Sequence, residues 1–168
     1  MKNMIVIGGT MGAGKTTVCR QLQKLLPDNV FLDGDWCWDM QPFAVTEENK
    51  RMVLDNIVFL LRSFLHNTSF QNILFCWVLQ EDAVWESIAA RLPTAGVKVH
   101  RITLTVSEQA LRDRLYRDVA AGLRLPDVIE RSVARLPLYD RVQSAKLDVS
   151  TCTAAEAAQQ IAKIVEEE

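Results

Sequence analysis

The chain has 168 residues, about one domain's worth, and its 49% hydrophobic and 24% charged side chains exclude the disordered and fibrous classes. Its 19 basic and 21 acidic residues give a formal charge of −2, so no general attraction for nucleic acid or an anionic membrane is expected. The four cysteines, Cys19, Cys37, Cys76 and Cys152, form no C-x-x-C pair and have no histidine at metal-ligand spacing, which argues against a zinc site or a disulfide framework and for a reducing cytoplasm.

Short apolar runs at 4–8, 30–33, 72–79, 97–106 and 146–149 predict five strands, apolar on both faces as covered parallel strands are. Helical periodicity separates them at 15–26, at 46–66 with Val53, Ile57, Leu60, Leu61 and Phe64 on one stripe, and at 82–91. Further on, Ser107 caps a pattern reaching residue 121, Pro126 suits the first turn of a helix over 127–136, and Thr153-x-x-Glu156 is a capping box for the last helix. Strand and helix alternate throughout, which predicts a three-layer α/β/α sandwich on a five-stranded parallel sheet, with ligands beyond the carboxyl ends of the strands. Neither repeats nor linkers interrupt the pattern, so residues 1–168 are expected to form one domain. The longest apolar run, 73–79, falls well short of the about 20 residues a membrane helix needs, and the run at 4–7 is too short for a signal peptide, so neither export nor anchoring is expected.

Between the first strand and the first helix stands Gly9-Thr10-Met11-Gly12-Ala13-Gly14-Lys15-Thr16, which satisfies G-x-x-x-x-G-K-[ST] in the context that motif requires. The glycines let backbone N–H groups curl around a polyphosphate, and the helix N-terminus adds the positive end of its dipole. Lys15 is expected to reach the β- and γ-phosphates and the Thr16 hydroxyl to ligate Mg²⁺. The nucleotide-binding set is thus Gly9, Thr10, Met11, Gly12, Ala13, Gly14, Lys15, Thr16 and Thr17.

On these residues the chain resembles the P-loop kinases that act on small molecules, a group including shikimate and gluconate kinases, nucleoside monophosphate kinases and chloramphenicol phosphotransferase. After the P-loop, Asp33-Gly34-Asp35 is similar to the D-x-D that ends the second strand of shikimate and gluconate kinases. The resemblance implies that Asp33 lies near Mg²⁺, together with Thr16, and that Asp35 contacts the acceptor hydroxyl as its base. The third strand carries no acid before Glu81, against a motor-type ATPase, and the chain has no N-K-x-D sequence, which favours adenine over guanine.

Seven of the twelve arginines lie between positions 112 and 141, and several are expected to form ordinary helical ion pairs. By resemblance, residues 112–130 contain a helix and a lid. Arg114 takes the base side of the nucleotide and Arg117 the transferring phosphate, with Arg124 competing for that second role. Arg131 and Arg135 share a helical face that can supply a further phosphate contact, and the loop 151–153 is expected near the adenine. Asp148 reads as a loop cap.

The acceptor is read from the aromatic-rich stretch after Asp35. Trp36 and Trp38 form either a stacking wall for a substrate or core filling beneath the long second helix, and Gln41-Pro42 departs from the histidine-proline element of gluconate kinases. Arg51 either clamps an anionic acceptor or is a surface residue. His66 and His100 read as structural, Cys76 and Trp77 as core, and Lys98 to Arg101 as a strand segment with solvent-facing residues. Gln80 and Glu81 are the further acceptor-facing candidates. The expectation is an Mg·ATP-dependent phosphotransferase acting on a hydroxyl of a small molecule, with Lys15, Asp35 and Arg117 catalytic and Asp33, Asp35, Trp36 and Arg51 contacting the acceptor. It is expected as a monomer or homodimer. An ATP-binding switch without an acceptor and a nucleoside monophosphate kinase are the alternatives.

Overall fold

The computed structural model describes residues 1–167; Glu168 lies outside them. The chain alternates β1 (Lys2–Gly8), α1 (Lys15–Leu25), β2 (Asn29–Asp33), α2 (Glu47–His66), β3 (Asn72–Cys76), α3 (Asp82–Ala89) and β4 (Val97–Thr105). It continues through α4 (Glu108–Ala120), α5 (Val128–Ala134), α6 (Leu136–Arg141), β5 (Ala145–Asp148) and α7 (Ala154–Glu167). All four strand pairings are parallel, in the order β2-β3-β1-β4-β5. This is the three-layer sandwich on a five-stranded parallel sheet that the sequence predicts.

Alternation along the central strand builds two cores. Ile5 and Ile7 point to one face, where they meet Cys19 and Leu22 of α1, Leu111 and Leu115 of α4, and Ile161 of α7. Met4 and Val6 point to the other, against Val53, Ile57 and Leu61 of α2 and Trp85 and Ile88 of α3. The sheet is therefore covered on both faces, as its apolar strands require.

The helix starts follow local side-chain chemistry. Thr46 accepts from the Asn49 N–H at 3.1 Å and Ser107 from the Ala110 N–H at 3.2 Å. In the predicted capping box, Thr153 Oγ1 accepts from the Glu156 N–H at 3.2 Å while Glu156 Oε2 accepts from the Thr153 N–H at 2.7 Å.

Two local expectations are corrected. The third strand ends at Cys76 instead of residue 79, because Leu79 takes a left-handed backbone (φ 38°) and carries the chain away from the sheet. The helix expected over 127–136 is two: α5 stops at Ala134, and α6 restarts at Leu136 with Pro137 in its first turn, a residue with no N–H to continue the earlier ladder. His100, read as structural, is buried with Nε2 3.4 Å from Asn3 Oδ1 on the adjacent strand. A 3₁₀ turn over Gly34–Trp38, which periodicity does not signal, follows β2 and is capped by Asp33.

These placements separate core from cap energetically. Phe75 is fully buried in the second core, so Phe75→Ala is expected to cost about 3–5 kcal/mol. Ser107→Ala removes one cap bond and is expected to cost about 1 kcal/mol. Urea denaturation of both variants checks the ratio.

Candidate active site

The loop between β1 and α1 lies at the carboxyl end of the central strand. Its shape is held from three sides. The Ala13 N–H donates to the Thr10 carbonyl at 3.1 Å, and Thr10 Oγ1 donates to the Ser132 carbonyl of α5 at 3.1 Å. Gly12 faces α4 so closely that a Cβ there would lie 2.7 Å from Leu115 Cδ2. Arg114 then staples the loop to the end of the sheet, donating to the Ala13 carbonyl at 3.3 Å and to the Val149 carbonyl. At the N-cap of α1, by contrast, Gly14 leaves open space where a Cβ would stand. A cradle of that kind suits a polyphosphate against the N-terminus of α1.

Lys15, directly after the cradle, donates through Nζ to the carbonyls of Gly9 at 2.9 Å and Thr10 at 3.0 Å. Enclosure within the loop holds its ammonium below the ordinary lysine value, against the opposing pull of Cys76, Asp35 and Asp33. One residue on, Thr16 Oγ1 donates to Asp33 Oδ2 at 2.5 Å, joining the start of α1 to the end of β2. The other Asp33 oxygen accepts from the Asp35 N–H at 3.0 Å and so fixes the turn that presents Asp35.

Asp35 itself stands in the cleft with an exposed side chain. Desolvation by the cleft walls, followed by repulsion from Asp33, pushes its carboxyl above the usual carboxylate range. Lys15, the polar edge of the neighbouring Trp77 side chain and Arg124 pull the other way.

Two cavities flank the loop. One, of about 290 Å³, is lined by Lys15, Thr16, Asp35, Arg114, Asp118 and Arg124, among others. Within it Arg124 Nε donates to Asp118 Oδ2 at 3.0 Å. The second, of about 340 Å³, is lined by Ala13, Thr17, Arg114, Arg117, Val149, Cys152 and Thr153, so the expected loop 151–153 reaches it. The two share Gly14, Thr17 and Arg114, forming a continuous path across the P-loop.

Lys15, Thr16, Asp33, Asp35 and Arg114 are thus brought together. Arg117 stands at the second cavity on an exposed face, its Nε bonded to the Asp113 carbonyl of its own helix, whereas Arg124 enters the first. Trp36 packs edge-on against Phe31, with ring centroids 5.1 Å apart, beneath the Arg20 guanidinium. Trp38 packs against Phe43 with centroids 5.8 Å apart. Arg51 is exposed on the first turns of α2 beside Glu47. Gln80 and Glu81 line a different cavity, of about 320 Å³, with Leu138 and Arg141 of α6. Arg112 pairs with Glu108 and Glu130, and Arg131 with Asp127, as ordinary ion pairs. Asp148 caps its loop by accepting from the Ser150 N–H at 2.9 Å. Trp77, read as core, packs partly against the second core layer just past the end of β3, with its ring close to Gly34.

Among the described residues no three His, Cys, Asp or Glu side chains cluster as a metal site. The donors present are the Thr16 hydroxyl and the Asp33 carboxylate, both hard oxygens. That set fits magnesium, which takes few protein ligands and completes its shell with water and phosphate.

The family model described as AAA domain matches residues 5–121, from β1 past the end of α4. The chain belongs to this AAA domain family. No curated protein matches the sequence. Among solved structures, a sugar kinase from Janibacter sp. HTCC2649 aligns with a TM-score of 0.72 at 11% identity, over 99% of this chain and 95% of that one. A gluconokinase from Sinorhizobium meliloti 1021 gives 0.67 at 18% identity over 98% and 94% of the two chains. Shikimate kinase from Acinetobacter baumannii, in complex with shikimate, gives 0.64 at 22% identity over 99% and 94%. This AAA domain protein therefore has the fold of the P-loop small-molecule kinases. Among its described residues no helix is long and apolar enough to cross a membrane.

The raised carboxyl of Asp35 has a consequence for stability. Its folded value lies above the unfolded one, so its charge opposes folding above the ordinary aspartate range, and the penalty disappears once pH falls below that range. Asp35→Asn is expected to raise the melting temperature at pH 7 and to lose that advantage in acid. Thermal melts of both proteins from pH 7 downward check this.

Proposed function

We propose that this AAA domain protein is an Mg·ATP-dependent kinase that transfers the γ-phosphoryl group to a hydroxyl of a small molecule. The observation that carries the reading is the Thr16–Asp33 contact of 2.5 Å, which sets a metal-binding pair beside Lys15 and Asp35 at one cavity. The solved structures of like fold include a gluconokinase, a sugar kinase and shikimate kinase, which supports a small hydroxylated acceptor.

In this reading the loop N–H groups from Gly9 to Thr17 bind the phosphates, and Lys15 exchanges its two carbonyl partners for phosphate oxygens. Thr16 and Asp33 would hold magnesium, which when bound neutralises phosphate charge. Arg114, Arg117 and the loop 151–153 enclose the base end of the nucleotide along the 340 Å³ cavity. Arg124, released from Asp118, meets the charge spreading over the transferring phosphoryl, a task suited to a planar guanidinium. Arg117 keeps the nucleotide side, where its exposed helical face puts it. Asp35 orients the acceptor hydroxyl and takes its proton as the new P–O bond forms, while the β-phosphate of ADP leaves with the old bonding pair. Its raised pKa makes it a stronger base than an ordinary aspartate and makes the transfer rate fall at a higher pH than such a residue would impose.

The localisation that fits is the cytoplasm, where ATP is plentiful, and the acceptor contacts are assigned to Asp35 first, with Trp36 and Arg51 as outer candidates. Residues 112–130 would act as the lid, swinging Arg124 over the cavity and limiting water.

Calorimetry with Mg·ATP is expected to register binding that Lys15→Ala removes. Across sugars, nucleosides, nucleoside monophosphates and antibiotics, an acceptor-dependent ADP release is expected that Asp35→Asn lowers by about 10²–10⁴-fold. Arg124→Ala is expected to lower kcat by about 10²–10³-fold with ATP affinity retained. ATP binding without turnover on any acceptor would instead support a nucleotide-operated switch, and a phosphorylated nucleotide product would identify a nucleoside monophosphate kinase.

A further inference from the structure

A cavity of about 630 Å³ lies on the outer face of α2, lined by Asp55, Asn56, Phe59, Arg62 and Ser63 and by Arg91 just past the end of α3, among others. None of its residues lines either cavity beside the phosphate loop. The kinase reading therefore gives it no task.

α2 turns Val53, Ile57 and Leu61 into the core, so Met52, Asp55, Phe59, Arg62 and His66 fall on its outward stripe. Phe59, at the middle of that stripe, is 69% exposed, and Met52, two turns before it, is 43% exposed. A single exposed ring is ordinary on a protein surface. This one also lines the hollow, so one face carries a knob and a hole side by side.

The charges on the stripe are arranged in the same way. Arg62 forms no ion pair among the described residues, and the residues one turn away on α2, Val58, Phe59, Leu65 and His66, include no acid. One turn before Phe59, Asp55 accepts from Arg91 through Oδ1 at 2.8 Å, yet its side chain stays 64% exposed and can take a second cation. A knob beside a hole and a cation one turn from an anion fit a copy of themselves, because a two-fold axis sets each feature opposite its complement.

We propose that the outer face of α2 is the two-fold interface of a homodimer, with Phe59 of each copy seated in the hollow of the other and Arg62 of each paired with the partner's Asp55. With the axis at Phe59 and the two α2 helices antiparallel, residues three or four places after Phe59 on one copy meet those three or four places before it on the other. Arg62 thereby reaches the partner's Asp55, and a central aromatic ring and an arginine anchor the contact, as in other interfaces whose energy is concentrated in a few side chains. The proposal does not depend on the kinase reading.

Sedimentation velocity tests it. Between about 1 and about 100 μM the wild-type mass is expected to rise from 19.0 kDa towards twice that value. A chain that stays single at the upper concentration overturns the proposal and leaves the hollow to a different occupant. Phe59→Glu is expected to weaken association about tenfold or more, while the melting temperature of the dilute, single chain matches the wild type, since the ring is exposed there. Association as tight as in the wild type overturns the assignment of this face. Arg62→Asp and Asp55→Arg each place like charges together at both cross pairs and are each expected to weaken association about tenfold. An equal mixture of these two variants is expected to form the dimer again, because each cross pair then unites opposite charges. A mixture that behaves as the sum of its parts overturns the antiparallel pairing.

Discussion

A single hydroxyl-to-carboxylate bond organises the site. Thr16 opens the first helix and Asp33 closes the second strand, and their contact at 2.5 Å brings together two segments that the sheet alone leaves independent. Everything at the cleft is referred to that bond. It sets the phosphate loop against the turn carrying Asp35, and it pairs two hard oxygens where a small divalent cation is suited to sit. An exposed hydroxyl–carboxylate pair contributes little to stability, but this carboxylate is buried, so satisfying it is obligatory.

The frame around that bond is rigid on one flank and adaptable on the other. α4 presses Leu115 against Gly12 and sends Arg114 to two carbonyls, so the phosphate loop, the helix and the end of β5 move as one body. Beyond Ala120 the loop is held by backbone bonds from the Gly122 N–H to Val119 at 3.0 Å and from the Leu123 N–H to Asp118 at 2.9 Å, and by the ion pair between Arg124 and Asp118. Partly exposed pairs of this type are weak, so this contact is more easily broken than the packing of α4 on the phosphate loop.

What could be read from the chain was what depends on neighbours in sequence. The phosphate loop, the Asp33-Gly34-Asp35 turn, the helix caps at Thr46 and Ser107 and the Thr153–Glu156 box are all set by residues within about four positions of one another, where periodicity and capping rules operate. The five strands followed from apolar runs covered on both faces. Other features needed distances between remote segments. Trp77 was legible as core filling, but the closeness of its ring to Gly34 was not. Arg117 and Arg124 are placed differently, one side chain folding along its own helix and the other lining the cleft, a distinction invisible in an arginine-rich stretch. Trp36 carries an aromatic signature suited to a substrate wall, and although Phe31 and Arg20 pack against it, it stays 47% exposed.

Gly122 adopts a left-handed backbone (φ 71°) with open space around its missing Cβ, one residue past the C-cap of α4. If the chain pivots there, Arg124 rides on a lever only two residues long, a radius of about 7 Å. Under such a pivot the reach of Arg124 is bounded by that radius and its own side chain, while α4 and α5 stay in place.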